Sequence, residues 1–202
     1  MVLDKINFTL IMLTISKEEM RERTDEFYDK IRKGNLFIYP TDTIYGIGCD
    51  ASNEQAVNNL RTAKARPTTP FSVIVPSTDW IRENCHIPKH AEPWLDKLPG
   101  PYTLILKLKN QDGIAKNVNP GISSIGIRIP NHWISGVVRE LNTPIITTSA
   151  NKAGSEFMTS TENLDPKVAS KVDFTIAEGE KEGNPSTLID LTESETKVIE
   201  RQ

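Results

Sequence analysis

Short apolar runs alternate along this chain with stretches whose apolar residues recur at helical spacing, and that alternation is the pattern of an α/β fold. Ser16 and Glu19 form a capping-box signature, after which Met20, Thr24, Phe27, Tyr28 and Ile31 continue one helix until Gly34 stops it. Leu36 to Tyr39 predicts a strand closed by Pro40. A loop follows, and a second helix starts near Asn53 with Ala56, Val57, Leu60 and Ala63 on one face. Further strands are expected at 71–75, 102–108, 125–129, 144–148, 174–176 and 187–191, and further helices at 77–84, 131–141 and 165–171. The near-apolar run from Ile6 to Ile15 reads as a buried first strand. It is shorter than the roughly 20 residues a membrane span needs, and no small-residue cleavage site follows it.

A chain of 202 residues fits one domain, and no repeat, low-complexity tract or linker divides it, so residues 1–202 are expected to form a single domain. The Gly/Lys/Glu stretch at 178–185 reads as a loop within it. With 24 Lys and Arg against 27 Asp and Glu, the net charge of −3 excludes a wholly basic nucleic-acid coat. Cys49 and Cys85 form no Cys-x-x-Cys pair, which fits neither a disulfide scaffold nor a four-cysteine zinc site. A soluble protein of the reducing cytoplasm, with no membrane contact, is the expectation. Cys85, His86 and His90 cluster, but Pro88 interrupts the two histidines and no metal site is expected. His132 stands alone at a predicted helix start and is expected to be exposed. Gly-x-Ser-x-Gly, Walker and Gly-x-Gly-x-x-Gly loops are all absent.

Polar residues at strand ends remain as candidates. Residues 39–48 place Pro40, Thr41, Thr43, Gly46 and Gly48 in a loop where glycines would let backbone amides approach a ligand, or simply form a turn. Lys64 and Arg66 close the second helix, where cations also suit the helix dipole. Ser149 and Asn151 lie just past a strand's carboxyl end, where open α/β sheets usually bind ligands. Arg128 puts a charge inside the strand Ile125 to Ile129, pointing either to a ligand or to water.

Six segments in this order resemble the YrdC/YciO family: Tyr-Pro-Thr-Asp-Thr at 39–43, Lys-x-Arg-Pro at 64–67, Pro-Gly-Pro-Tyr-Thr at 99–103, Gly-Ile-Arg at 126–128, Ser-Ala-Asn at 149–151 and Pro-Ser-Thr-Leu-Ile-Asp at 185–190. The characterised members of that family are threonylcarbamoyl-AMP synthases. The resemblance implies a strongly twisted sheet, mixed or mainly parallel, flanked by helices and carrying a concave ligand face. The form expected is the one without the additional C-terminal domain of longer members. It also implies a nucleotidyl transfer, in which L-threonine, bicarbonate and ATP with magnesium give threonylcarbamoyl-AMP and pyrophosphate. The product serves threonylcarbamoyladenosine formation in tRNA, through a threonylcarbamoyl transferase complex.

By the same resemblance, Lys64, Arg66, Ser149 and Asn151 form a catalytic tetrad around ATP and the carbonate. Arg128, Thr43, Thr147 and Ser186 bind threonine, and Ser124 and Arg201 lie near the nucleotide. The alternative is a YciO-like accessory protein that binds nucleotide or double-stranded RNA without catalysis, since Tyr102 to Lys107 and Ile189 to Thr192 look more like that branch. Its cationic surface would be the run Arg61, Lys64 and Arg66, although no aromatic RNA platform accompanies it.

Overall fold

Short strands that are apolar on both sides give a sheet both of whose faces are covered. The computed structural model describes residues 12–109, 113–151 and 155–201. Its strands are β1 (Leu13–Ser16), β2 (Phe37–Tyr39), β3 (Gly46–Gly48), β4 (Ser72–Ile74), β5 (Tyr102–Lys107), β6 (Ser124–Arg128), β7 (Ile145–Ser149), β8 (Phe174–Ala177), β9 (Thr187–Asp190) and β10 (Lys197–Ile199). They join in the order β1-β8-β2-β3-β7-β4-β6-β5-β9-β10. Of the two sheet types the resemblance left open, the mixed one forms. The pairs β1/β8, β2/β8, β4/β6 and β5/β9 are parallel, while β2/β3, β3/β7, β4/β7, β5/β6 and β9/β10 are antiparallel. β3 contributes to this by turning back on β2 and pairing with β7 in the opposite sense, while β4/β7, β5/β6 and β9/β10 are antiparallel without it.

The helices are α1 (Lys17–Glu22), α2 (Thr24–Arg32), α3 (Glu54–Lys64), α4 (Thr78–Asn84), α5 (Glu92–Leu95), α6 (Ile134–Leu141) and α7 (Pro166–Ala169). The Ser16–Glu19 capping box forms in both directions, at 3.1 and 2.7 Å. The single helix expected up to Gly34 is instead broken at Arg23. There Thr24 Oγ1 donates back to the carbonyls of Arg21 and Met20, at 2.8 and 3.3 Å, and competes with the helical ladder. The helix expected from 131 starts at Ile134, and the one expected at 165–171 is a single turn. β1 is the described part of the strand expected at Ile6 to Ile15; residues 6–11 lie outside the described residues.

One face of the sheet carries Ile38, Ile47, Val73, Ile127 and Ile146 against Ala56, Val57 and Leu60 of α3 and Ile81 of α4. The other carries Phe37, Tyr39, Ile74, Ile145 and Phe174 against Phe27 and Ile31 of α2 and Ile134, Val138 and Leu141 of α6. The strand period of two thus feeds two cores, which is why these strands read as continuous apolar runs. No helix among the described residues is long and apolar enough to cross a membrane.

The 39–48 segment is not the open loop it resembles. Its glycines pair as β3, and the Tyr39 ring lies across them: a Cβ at Gly46 or Gly48 would come within 3.2 Å of it. At Gly48 that Cβ would also stand 1.9 Å from the Ile146 carbonyl oxygen, which takes the Tyr39 hydroxyl at 3.0 Å. Gly48→Ala is expected to cost on the order of 3 kcal/mol or more by forcing backbone apart. Gly136→Ala, in α6 with open space around it, should instead stabilise by about 0.5–1 kcal/mol. Denaturant unfolding of the two variants checks both signs.

Candidate functional site

β6 ends at Arg128 and β7 at Ser149, and the chain crosses between β2 and β3 beside both. Together they floor a cleft lined by Thr41, Tyr45, Gly46, Ser72, Thr103, Arg128, Thr147, Thr148, Ser149, Ser186 and Arg201. Hydroxyls dominate this lining, so it offers many short-range donors and acceptors around two cations, Arg128 and Arg201. Arg128 does not point to water: it is 5% exposed. Its Nη2 donates to Asp42 Oδ1 at 2.8 Å and to Thr43 Oγ1 at 3.2 Å, and Asp42 Oδ2 accepts from the Asn131 amide at 2.9 Å. Thr43 Oγ1 is in turn 2.9 Å from Thr41 Oγ1, which donates to the Ile44 carbonyl. The Arg128 Nε is buried and has no hydrogen-bond partner among the described residues. A buried donor left open costs about 1–3 kcal/mol, so its persistence beside a polar cleft marks a place for an acceptor.

Lys64 and Arg66 reach the other side of Ser149. Ala65, the C-cap of α3, takes φ 50°, and this left-handed turn sets the two cations on either side of it toward the end of β7. Lys64 is buried at 3% exposure. Its Nζ donates to the carbonyls of Ser149, at 2.6 Å, and Asn151, not to the carbonyls of its own helix. Arg66 Nη1 donates to Thr148 Oγ1 at 3.2 Å. A second cleft, sharing Ser149 with the first, is lined by Arg66, Asn151, Ser155, Phe157, Thr159 and Asn163. Asn151 is 7% exposed, and its Oδ1 has no partner among the described residues.

Arg61 belongs to the core rather than to a cationic face. Its guanidinium donates to the carbonyls of Asn117, Arg66, Thr69 and Val118 and lies 4.7 Å from the Phe71 ring centroid. Of the run Arg61, Lys64 and Arg66, only Arg66 is not buried.

On the far strands, Ser186 Oγ is 2.7 Å from Thr103 Oγ1, and the exposed Arg201 donates to the Ser186 carbonyl and hydroxyl at 2.9 and 2.6 Å. Thus Arg128, Thr147, Ser149, Ser186 and Arg201 line the first cleft, Thr43 stands behind it on Arg128, and Lys64, Arg66 and Asn151 gather around Ser149. Ser124 does not join them. It starts β6, four residues before Arg128 and so about 13 Å along the strand, and its carbonyl accepts from Asn119 Nδ2.

Sequence reasoning named Thr41 but missed Ser72 and Thr103 and singled out neither Tyr45 nor Asp42, although these two lie within residues 39–48 and Thr103 lies inside a quoted segment. It also missed the node at Glu178. That carboxylate accepts from Trp133 Nε1 and from Lys181 Nζ at 2.6 Å and lies 2.5 Å from His132 Nε2. Burial opposes its charge, but hydrogen bonds from Lys181, His132 and Trp133 outweigh burial and hold the carboxyl down at about 2. His132, expected to be exposed, has a side chain only 11% exposed. The Glu178 amide and the Gly179 carbonyl bind the Tyr45 hydroxyl, tying this loop to the first cleft.

Burial first, and then the charge of Arg66, lower the Lys64 ammonium from 10.5 to about 8. The folded chain therefore binds this proton less tightly than the unfolded chain, so stability recovers as pH rises from about 8 toward 10.5. A 13C titration of the lysine side chains should place Lys64 near 8, and a bound polyphosphate should raise it. A midpoint in the ordinary lysine range would contradict this placement.

The family model of Sua5, YciO and YrdC, described as telomere recombination, matches residues 29–202. A Methanocaldococcus jannaschii protein provisionally named threonylcarbamoyl-AMP synthase is 39% identical over 189 residues, 90% of this chain and 86% of its own length. The threonylcarbamoyl-AMP synthase of Pyrococcus abyssi is 33% identical over 184 residues, 86% of this chain and 54% of its own length. The crystal structure of Pyrococcus abyssi Sua5 complexed with L-threonine matches with TM-score 0.81 at 31% identity, over 93% of this chain and 56% of that one. This chain therefore spans about half the length of those two Pyrococcus chains. The matched span contains the cleft residues from Thr41 to Arg201. By sequence and by fold, the chain belongs to the Sua5/YciO/YrdC family.

Proposed function

We propose that this protein is an L-threonylcarbamoyladenylate synthase, a cytoplasmic nucleotidyltransferase that joins L-threonine, bicarbonate and ATP. The observation that carries this reading is Arg128, whose buried Nε has no partner among the described residues, at the wall of a hydroxyl-lined cleft that shares Ser149 with the cleft of Arg66. Two adjoining clefts suit two substrates that must react with each other. The names of the Methanocaldococcus and Pyrococcus relatives and the threonine complex of Sua5 support the same assignment.

The chemistry asks for gathered charge rather than a nucleophilic side chain. The threonine amine attacks the bicarbonate carbon, water leaves, and a carbamate anion results. A carbamate oxygen then attacks the α-phosphorus of ATP while the bond to the β-phosphate breaks and pyrophosphate departs. Bringing these anions together is a task for positioning and fixed donors.

Arg128 would hold the threonine carboxylate, with Thr43, Thr147 and Ser186 completing the pocket. Arg66 would fork onto phosphate oxygens, while Ser149 and the third donor of Lys64 serve the carbonate and phosphates. Arg201 is exposed as a residue, but its guanidinium is partly buried against Ser186; that burial and the charges of Arg128 and Arg66 push it down, and a polyanion beside it would offset them. Ser124, about 13 Å along β6 from Arg128, would serve the nucleotide away from the threonine carboxylate.

Magnesium would arrive with ATP and share its charge. The open Asn151 Oδ1 fits it, and phosphate and water oxygens would complete its shell. No group of three or more His, Cys, Asp or Glu side chains gathers to hold a metal among the described residues. The product would pass to the transferase complex that modifies adenosine in tRNA. Double-stranded RNA binding draws no support from the Arg61–Arg66 run, whose first two cations are buried.

With ATP, magnesium and bicarbonate, purified protein should release pyrophosphate only when L-threonine is present. Serine should support less, since one methyl contact is worth about 1–3 kcal/mol. Absence of threonine-dependent pyrophosphate would overturn the synthase reading.

A further inference from the structure

Asp42 is not part of the cleft lining, yet it holds the residue assigned to the substrate carboxylate. We propose that Asp42 is a positioning residue, which turns the Arg128 guanidinium so that its open edge faces the carboxylate of the amino-acid substrate. This inference rests on the synthase reading and adds a residue to it.

An arginine side chain has many rotamers, and a guanidinium recognises a carboxylate only when its planar fork is oriented. Asp42 supplies that orientation from two fixed points. Its Oδ1 takes Arg128 Nη2 at 2.8 Å, and its Oδ2 takes the Asn131 amide at 2.9 Å. The carboxylate thus braces the chain after β2 against the turn after β6, and the Arg128 side chain lies between those two segments. Thr43 accepts from the same Nη2 at 3.2 Å and is supported by Thr41. Both hydrogens of Nη2 are then engaged, and Nε is left buried without a partner among the described residues. An open donor beside an engaged one is what a bound acceptor would complete.

Charge argues that the contribution is geometric. The ion pair with Asp42 already neutralises Arg128, so a second carboxylate arriving there is repelled by Asp42 rather than attracted. If Asp42 acted through its charge, removing that charge would tighten threonine binding. If it acts by orientation, removal loosens it, and shape matters more than charge.

Calorimetric titration of L-threonine and, separately, of ATP with magnesium distinguishes these. Asp42→Ala is expected to weaken threonine at least tenfold and ATP less than twofold. Asp42→Asn keeps one acceptor for Arg128 Nη2 in the same place, although its amide nitrogen cannot accept from Asn131, and should restore most of the threonine affinity lost in the alanine variant. Asp42→Glu keeps the charge but pushes the carboxylate out by one methylene, and should bind threonine as poorly as the alanine variant. Unchanged or tighter threonine binding in Asp42→Ala would overturn the proposal, as would equal weakening of both ligands. Should the alanine variant fail to fold, the comparison of Asn with Glu decides: Glu at parental affinity overturns it, and Glu far weaker than Asn supports it. A parent protein that does not bind threonine at all would remove the synthase reading and this inference together, whereas a parent that binds it alongside indifferent variants removes the inference alone.

Discussion

A guanidinium buried at the end of β6 sets the terms for the structure around it. Arg128 is 5% exposed, and a full charge so placed needs a partner of opposite sign and hydrogen-bond acceptors within reach. Asp42 supplies the first, Thr43 the second, and each is held by a further group, the Asn131 amide and Thr41. Meeting that demand fixes where the chain between β2 and β3 runs. Beside it, Gly46 and Gly48 leave room for the Tyr39 ring over β3, and the Tyr39 hydroxyl anchors on β7. The cleft is what remains open beside this fixed cation.

The cations of the chain fall into two kinds that sequence alone does not separate. Arg61 spends its donors on four backbone carbonyls and braces loops, so it holds no charge in reserve for a ligand. Arg66, five residues past Arg61 and just beyond the helix end, keeps only the Thr148 hydroxyl as a side-chain partner among the described residues. Lys64 lies between these cases, with two donors on the carbonyls that follow β7 and a proton bound less firmly than usual. A site that must first be assembled and then filled by anions benefits from both kinds. One set shapes the backbone, and the other waits for substrate.

Much of the fold was legible because most strands are continuous apolar runs and most helices have capped, periodic starts. β3 was not, because Gly-Ile-Gly has poor strand propensity and reads as a turn; only the Tyr39 ring and the Ile146 carbonyl make glycine the residue that fits. The break at Arg23 was hidden because apolar spacing runs straight through it, while the cause is a threonine hydroxyl bonding backward. In the site, Lys64, Arg66, Arg128, Ser149 and Asn151 were visible as polar residues at element ends. Asp42 was not, since its partner is 86 residues away in sequence and only the sheet brings them together. Glu178 was hidden for a related reason: a Gly/Lys/Glu stretch reads as solvated loop until Trp133, His132 and Lys181 converge on it.

The central claim is that the open Nε of Arg128 is the carboxylate anchor of the first cleft. A structure of this chain with L-threonine bound tests it directly. The account predicts a ligand carboxylate oxygen about 2.7–2.9 Å from Arg128 Nε, with Asp42 still on Nη2. A threonine bound elsewhere, or one seated in the cleft with Nε still lacking a partner, would contradict it.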